Sequence, residues 1–271
     1  MFGFFKKKGA EKTQNSDSAQ FKEFAALFQP EELTILAVTG ANGFDDGTEE
    51  TPRTASIGLT AWMEEDSPDI HQGDFPLSAI VDEQLLEILR RRTPGDFIIK
   101  FKGRVSEDGQ RLLLLDLPEP GFDPDLKAIL EEQKKPVTFW EDGLGTFTLN
   151  RKVDWFETEV DWLGTAVSLV FDRKEDRAGC ARNARKLLAG AECWDRRVRE
   201  YAAGELAGRL GDDEQTDGFL ERMEPESIEI RGDGRFEFWF GDGDMGRSIR
   251  VAGDLENGPD EAGMEDLSGV L

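Results

Sequence analysis

The stretch Leu144–Phe171, LGTFTLNRKVDWFETEVDWLGTAVSLVF, decides the reading of this chain. Phe147 and Leu149 alternate with Thr146 and Thr148, and Phe156, Thr158, Val160 and Trp162 alternate with Glu157, Glu159 and Asp161. Past Leu163-Gly164, Val167, Leu169 and Phe171 alternate with Ala166, Ser168 and Val170. A period of two, rich in aromatic and β-branched residues, predicts three antiparallel strands with a tight turn near Gly164. One face is apolar and needs a cover, while the other presents carboxylates to water.

The cover lies downstream. Asp172–Ala189 predicts a helix with a small-residue face (Ala178, Ala181, Ala184) ended by Gly190. In the next helix, 192–210, Trp194, Val198, Ala202, Leu206 and Leu210 form one apolar row. Ser227–Arg231 and Arg235–Phe240 predict a hairpin around Gly232-Asp233-Gly234, Arg247–Ala252 a further strand, and Glu256–Leu271 a loosely held polar end.

Upstream, Asp123 and Pro124 open a helix running to Lys135, with Leu126, Ile129 and Leu130 on its buried side. Before it come strands at Leu33–Val38, Ala55–Met63 and Phe75–Ile80, and a helix capped by Asp82. A hairpin then turns at Ser106-Glu107-Asp108-Gly109. The fold class expected is α+β. It comprises a flexible arm at 1–20, a β-rich N-terminal domain at 21–120, a bridging helix at 121–135, and a C-terminal domain at 136–271. In that last domain, antiparallel strands are covered by a helix pair.

The 271 residues carry a net charge of −24, concentrated in two stretches: −10 over residues 41–83 and −13 over 211–271. Such segregation repels nucleic acid and attracts basic partners. Asp45, Asp46, Glu64 and Glu65 in the first stretch, and Asp212, Asp213 and Glu214 in the second, are therefore the candidate partner-binding residues. Phe2 to Lys8 reverses the charge order of a secretory signal, and no apolar run spans a bilayer, so a cytoplasmic protein without stable membrane association is expected. The oligomeric state is not legible.

Catalytic patterns are missing. Cys180, Cys193 and His71 are too scattered for zinc, and no G-x-S-x-G elbow occurs. His71 sits in an acidic connection, Glu64–Gly73. Thr39 to Gly43 runs into acid rather than into a helix that would cradle phosphate. No cofactor is implied. Asp242 and Asp244 open like a calcium loop, but Arg247 and Gly253 stand where Gly and Glu are needed, so they are candidates for a weak cation site only. Glu157, Glu159 and Asp161 read as a solvated face.

Leu144-Gly145-Thr146-Phe147, Asp154-Trp155-Phe156, Trp162-Leu163-Gly164, Trp194-Asp195 and Phe238-Trp239-Phe240-Gly241-Asp242-Gly243-Asp244 before Ser248-Ile249 occur in the order of a bacterial family. Over residues 136–255 the chain resembles domain of unknown function 2262. The family has Gly-His before Ser-Ile where this chain has Gly246-Arg247. The resemblance implies an α+β bacterial domain without assigned activity, of the kind found near toxin systems, and carries over no site residue. Charge and resemblance together predict a non-catalytic, acidic, protein-binding module of immunity or inhibitor type. The alternative is a carboxylate-dependent, cation-assisted hydrolase.

Overall fold

The computed structural model describes residues 19–45, 47–48, 52–206, 216–242 and 247–266. Two compact units meet in sequence between Lys135 and Pro136, and the fold is mixed α+β with one sheet in each.

The N-terminal unit runs α1 (Ala19–Ala25), β1 (Leu33–Thr39), β2 (Thr54–Glu64), β3 (His71–Ile80), α2 (Glu83–Arg92), β4 (Ile98–Val105), β5 (Leu112–Leu114), the short β6 (Glu119–Pro120) and α3 (Pro124–Gln133). Strands pair in the order β1-β2-β3-β5-β4, and β4 pairs back onto β1, closing a five-stranded barrel. All barrel pairs are antiparallel except β3 with β5. A helix between the third and fourth strands completes the Greek-key connectivity of an OB-type barrel.

Alternation along β2 decides what enters this barrel. Ile57 and Leu59 face the interior, then the register slips between Leu59 and Ala61. The bulge turns Trp62 inward and sends Ala61 and Met63 to the outer face. Leu85, Leu86 and Leu89 of α2 join the interior cluster; the helix is capped by Asp82, whose Oδ1 accepts from Leu85 N at 2.7 Å. Outside, Leu126 and Leu130 of α3 cover Leu36, Val38, Ala61, Met63 and Ile98. The helix read from the sequence as a bridge thus packs on the first unit. Gln133 pins its end, donating to Thr39 O and Asp96 Oδ1, both at 3.0 Å, and accepting from Thr60 Oγ1 at 2.6 Å.

The C-terminal unit runs β7 (Thr138–Glu141), β8 (Gly145–Asn150), β9 (Trp155–Trp162), β10 (Thr165–Asp172), α4 (Arg177–Ala189), α5 (Ala191–Leu206), α6 (Thr216–Arg222), β11 (Met223–Ile230), β12 (Arg235–Asp242), β13 (Arg247–Asp254) and β14 (Gly258–Asp266). The eight strands lie side by side in reverse chain order, β14 to β7. The expected organising strands are β8, β9 and β10. Leu163 and Gly164, at φ 57° and 90°, make the tight turn between the last two. Two expectations are corrected. The sheet is not wholly antiparallel, because β10 and β11 run parallel: α4, α5 and α6 intervene and return the chain to the same end. Residues 258–266 are not loose but form the edge strand β14, paired with β13.

Phe147 stacks on Phe171 with ring centroids 4.4 Å apart, and Trp162 meets Phe238 edge-on at 5.2 Å. These rings share one buried cluster with Cys180, Ala184 and Leu187 of α4 and Val198 and Ala202 of α5, so the helix pair covers the apolar face. The indole Nε1 of Trp162 donates to Asp195 Oδ1 at 3.0 Å, and Arg199 donates to Asp195 Oδ2 at 2.8 Å and to the carbonyls of Leu220 and Met223.

Candidate binding site at the barrel mouth

The end of the barrel away from α2, where β2 finishes, β3 begins and β4 turns into β5, opens into a cavity of ≈ 650 Å³. Its floor is apolar. Trp62 is 4% exposed, and Phe75 and Val105 are also buried. Register sets His71 opposite Trp62, and the imidazole stacks on the indole at 4.1 Å with an interplanar angle of 18°. Phe75 meets the same indole edge-on at 6.2 Å. His71 therefore belongs to β3 and not to the acidic connection read from the sequence. A strand start carrying Gly73 and Asp74 lacks the alternation by which strands are recognised.

The rim is polar and of one charge. Glu31, Glu64, Glu107 and Asp108 line the opening with Gln29, Gln72 and Gln110, and no Lys or Arg is among the lining residues. The turn 106–110 is tightly made: Ser106 Oγ donates to Asp108 Oδ1 at 2.5 Å, Gln110 N donates to the same oxygen at 3.1 Å, and Gly109 takes φ 70°. The Ser106 hydrogen bond, helped by that of Gln110, holds the Asp108 carboxyl below its ordinary range. Ser106, the one hydroxyl in the lining, is spent on this turn, since it also accepts from Arg111 N at 2.9 Å. Trp62 Nε1 is itself buried and without an acceptor among the described residues. An unmet buried donor costs on the order of 1–3 kcal/mol.

Of the residues read from the sequence as partner-binding, Glu64 is at this mouth. Glu65 pairs with Lys100, and Asp45 is a turn former, accepting from Ser56 N at 2.9 Å and Ser56 Oγ at 2.7 Å. Asp46, Asp212, Asp213, Glu214 and Asp244 lie outside the described residues, as does the side chain of Asp242. The described residues include no group of three or more His, Cys, Asp and Glu able to hold a metal. Cys180 is buried, and burial first, then Glu175 and Asp176, push its thiol up to about 12, which removes it as a nucleophile at neutral pH. Trp62, Phe75 and the 106–110 turn were not read as a site; only the strand register brings them together.

Two further surfaces were candidates. OB-type barrels bind oligonucleotides on the outer face of their second and third strands, with aromatic and basic side chains. Here that face carries Ser56 opposite Ser78 and Gly58 opposite Pro76. On the sheet of the second unit, Glu229 and Glu237 stand directly opposite one another. Arg250 grips Glu237 through two nitrogens at 2.8 and 2.9 Å and reaches Glu261 at 2.9 Å, while Arg231 bonds Glu229 at 3.1 Å. These carboxylates are neutralised in place.

The geometry defines an OB-type barrel with an acid-rimmed mouth, linked in sequence to an α+β domain. Residues 141–264 match the family described as an uncharacterized protein conserved in bacteria (DUF2262), the family whose aromatic and glycine spacing this chain shares, and residues 20–133 match a domain of unknown function (DUF7021). No curated protein and no solved structure matches the chain. No described helix is long and apolar enough to cross a membrane.

Proposed function

We propose that this chain is a non-catalytic binding protein whose barrel mouth receives a basic segment of a protein partner in the bacterial cytoplasm. The supporting observation is the cavity of ≈ 650 Å³, with four carboxylates and no Lys or Arg in its lining, over an apolar aromatic floor. An apolar floor with a charged rim suits a long cationic side chain, whose methylenes are buried while its head stays among counter-charges. An immunity- or inhibitor-type role is the concrete form, since the net charge of −24 would also steer a basic toxin-like partner toward the chain. The acids of 211–271 support this less than those at the mouth, because Glu229, Glu237 and Glu261 are occupied by arginines.

Titration of the full chain with a polybasic octapeptide, followed by calorimetry, tests the reading. Binding is expected to weaken as salt rises from about 50 to about 300 mM, as surface charge is screened. A Glu31→Gln, Glu64→Gln, Glu107→Gln triple variant is expected to lose about tenfold in affinity. A peptide that fails to bind, or binds the variant equally well, refutes it.

A further inference from the structure

The sheet of the second unit ends on two edge strands, β14 and β7, and they are guarded differently. β14 carries Asp260, Glu261, Glu265 and Asp266, so a second copy laid along it would set acid against acid. From Pro136 to Trp140 the β7 edge has no charged residue, and Val137 and Trp140 are 49% and 66% exposed. Among the described residues β7 pairs with β8 alone. Leu149 N donates to Val137 O at 2.9 Å, so Val137, Phe139 and Glu141 bond towards β8. By the same alternation Thr138 and Trp140 point their N–H and C=O groups out of the sheet edge. Pro136, which has a carbonyl but no N–H, ends that row.

We propose that β7 pairs antiparallel with β7 of a second copy, across a two-fold axis at Thr138, joining the two sheets edge to edge. The two Thr138 residues exchange their main-chain hydrogen bonds, and each Trp140 N donates to Pro136 O of the other copy. The register follows from what each side chain then meets. Val137 lies opposite Phe139 and Trp140 opposite Pro136, so both exposed apolar side chains rest on apolar surface. The stretch is also its own charge complement: Lys134-Lys135 precede it and Glu141-Asp142 end it. Antiparallel pairing brings the cations of one copy to the anions of the other. An axis at Phe139 would set Val137 against Glu141, and an axis at Trp140 would set Phe139 against Glu141. An axis at Val137 would set Phe139 against Lys135. Because one patch meets itself, the contact closes at a dimer and leaves the acidic β14 edges outermost.

The test is sedimentation velocity of the full chain from about 5 to about 500 µM, in about 0.15 M salt to screen the net charge of −24. A reversible monomer–dimer equilibrium is expected. Trp140→Asp, at an exposed position, is expected to weaken association at least about tenfold while leaving the circular dichroism of the monomer unchanged. In a Cys193→Ser background, Thr138→Cys is expected to form a disulfide-linked dimer on mild oxidation, since directly opposed residues of a hydrogen-bonded pair lie about 5.5 Å apart at Cα. Glu265→Cys, on the other edge, is expected to stay monomeric. Lys134→Glu and Asp142→Lys, both exposed, are each expected to weaken self-association about threefold or more, and an equimolar mixture of the two to restore it, because each copy supplies the charge the other needs. A chain that remains monomeric throughout overturns the proposal. So does a dimer that survives Trp140→Asp or that crosslinks through Glu265→Cys, and a mixture that fails to recover overturns the register. None of these outcomes depends on peptide binding at the barrel mouth.

Discussion

At the scale of single residues, Glu229 and Glu237 show how one sheet row assigns opposite consequences to two like groups. Glu229 is 8% exposed, and burial raises its carboxyl above the ordinary 4.5 in spite of Arg231. Its charged form is therefore disfavoured in the fold. This penalty is complete above the raised folded value and disappears as pH falls toward 4.5. Glu237 is depressed, first by its hydrogen bonds from Arg250, so its contribution is present above 4.5 and is lost as pH falls through its lower folded value. Glu229→Gln is expected to raise Tm at pH 7, with the gain over the parent vanishing near pH 4, since Arg231 keeps Glu237 at 3.5 Å. Glu237→Gln is expected to lower stability at pH 7 by about 1–3 kcal/mol, because it strips a bidentate partner from Arg250. Thermal melts between pH 4 and 8 distinguish the two, and parallel behaviour of the variants contradicts the assignment.

At the scale of elements, the β9–β10 hairpin is held by a turn with a misfit residue. Leu163 takes φ 57°, a left-handed conformation that costs a non-glycine residue about 1 kcal/mol, and it is 50% exposed. Asn-Gly is the preferred pair for a turn with positive φ at both positions. Leu163→Asn is expected to stabilise the chain by about 0.5–1 kcal/mol, measured by urea unfolding. The same hairpin was legible from alternation alone, as were the caps at Asp82 and Asp123, because each depends on neighbours in the chain. β7 went unread because Thr138–Glu141 is too short for a period to emerge, and β14 because its glycines and acids look like a tail. The parallel β10–β11 pairing depends on residues 59 apart, such as Ser168 and Ser227, and no local pattern announces it. Motif residues Trp162 and Asp195, which carry the family resemblance, turn out to fasten a strand to a helix. Their spacing marks a core. The site is made of Trp62, His71 and the 106–110 turn, contributed by separate strands, so its residues converge only once the barrel closes.

At the scale of the molecule, each unit has its own core. Interior and outer clusters of the barrel draw only on residues before Lys135, and the aromatic cluster of the sheet only on residues after Pro136. Fragments 19–135 and 136–266, produced separately, are each expected to unfold cooperatively, as read by circular dichroism in denaturant. A fragment lacking a cooperative transition would show that its cluster is not self-sufficient.

The parallel seam between β10 and β11, in the sheet of the second unit, also has a kinetic meaning. On either side, β7 to β10 and β11 to β14 are meanders of neighbouring strands, whose short connections close quickly. Sealing the seam requires the helical segment between them to be laid down first, so two half-sheets with fresh edges meet late. The slow step in refolding of this unit is therefore expected to be a docking event at Ser168 to Val170 against Ser227 to Glu229, with each half until then exposing an edge on which a second chain can grow.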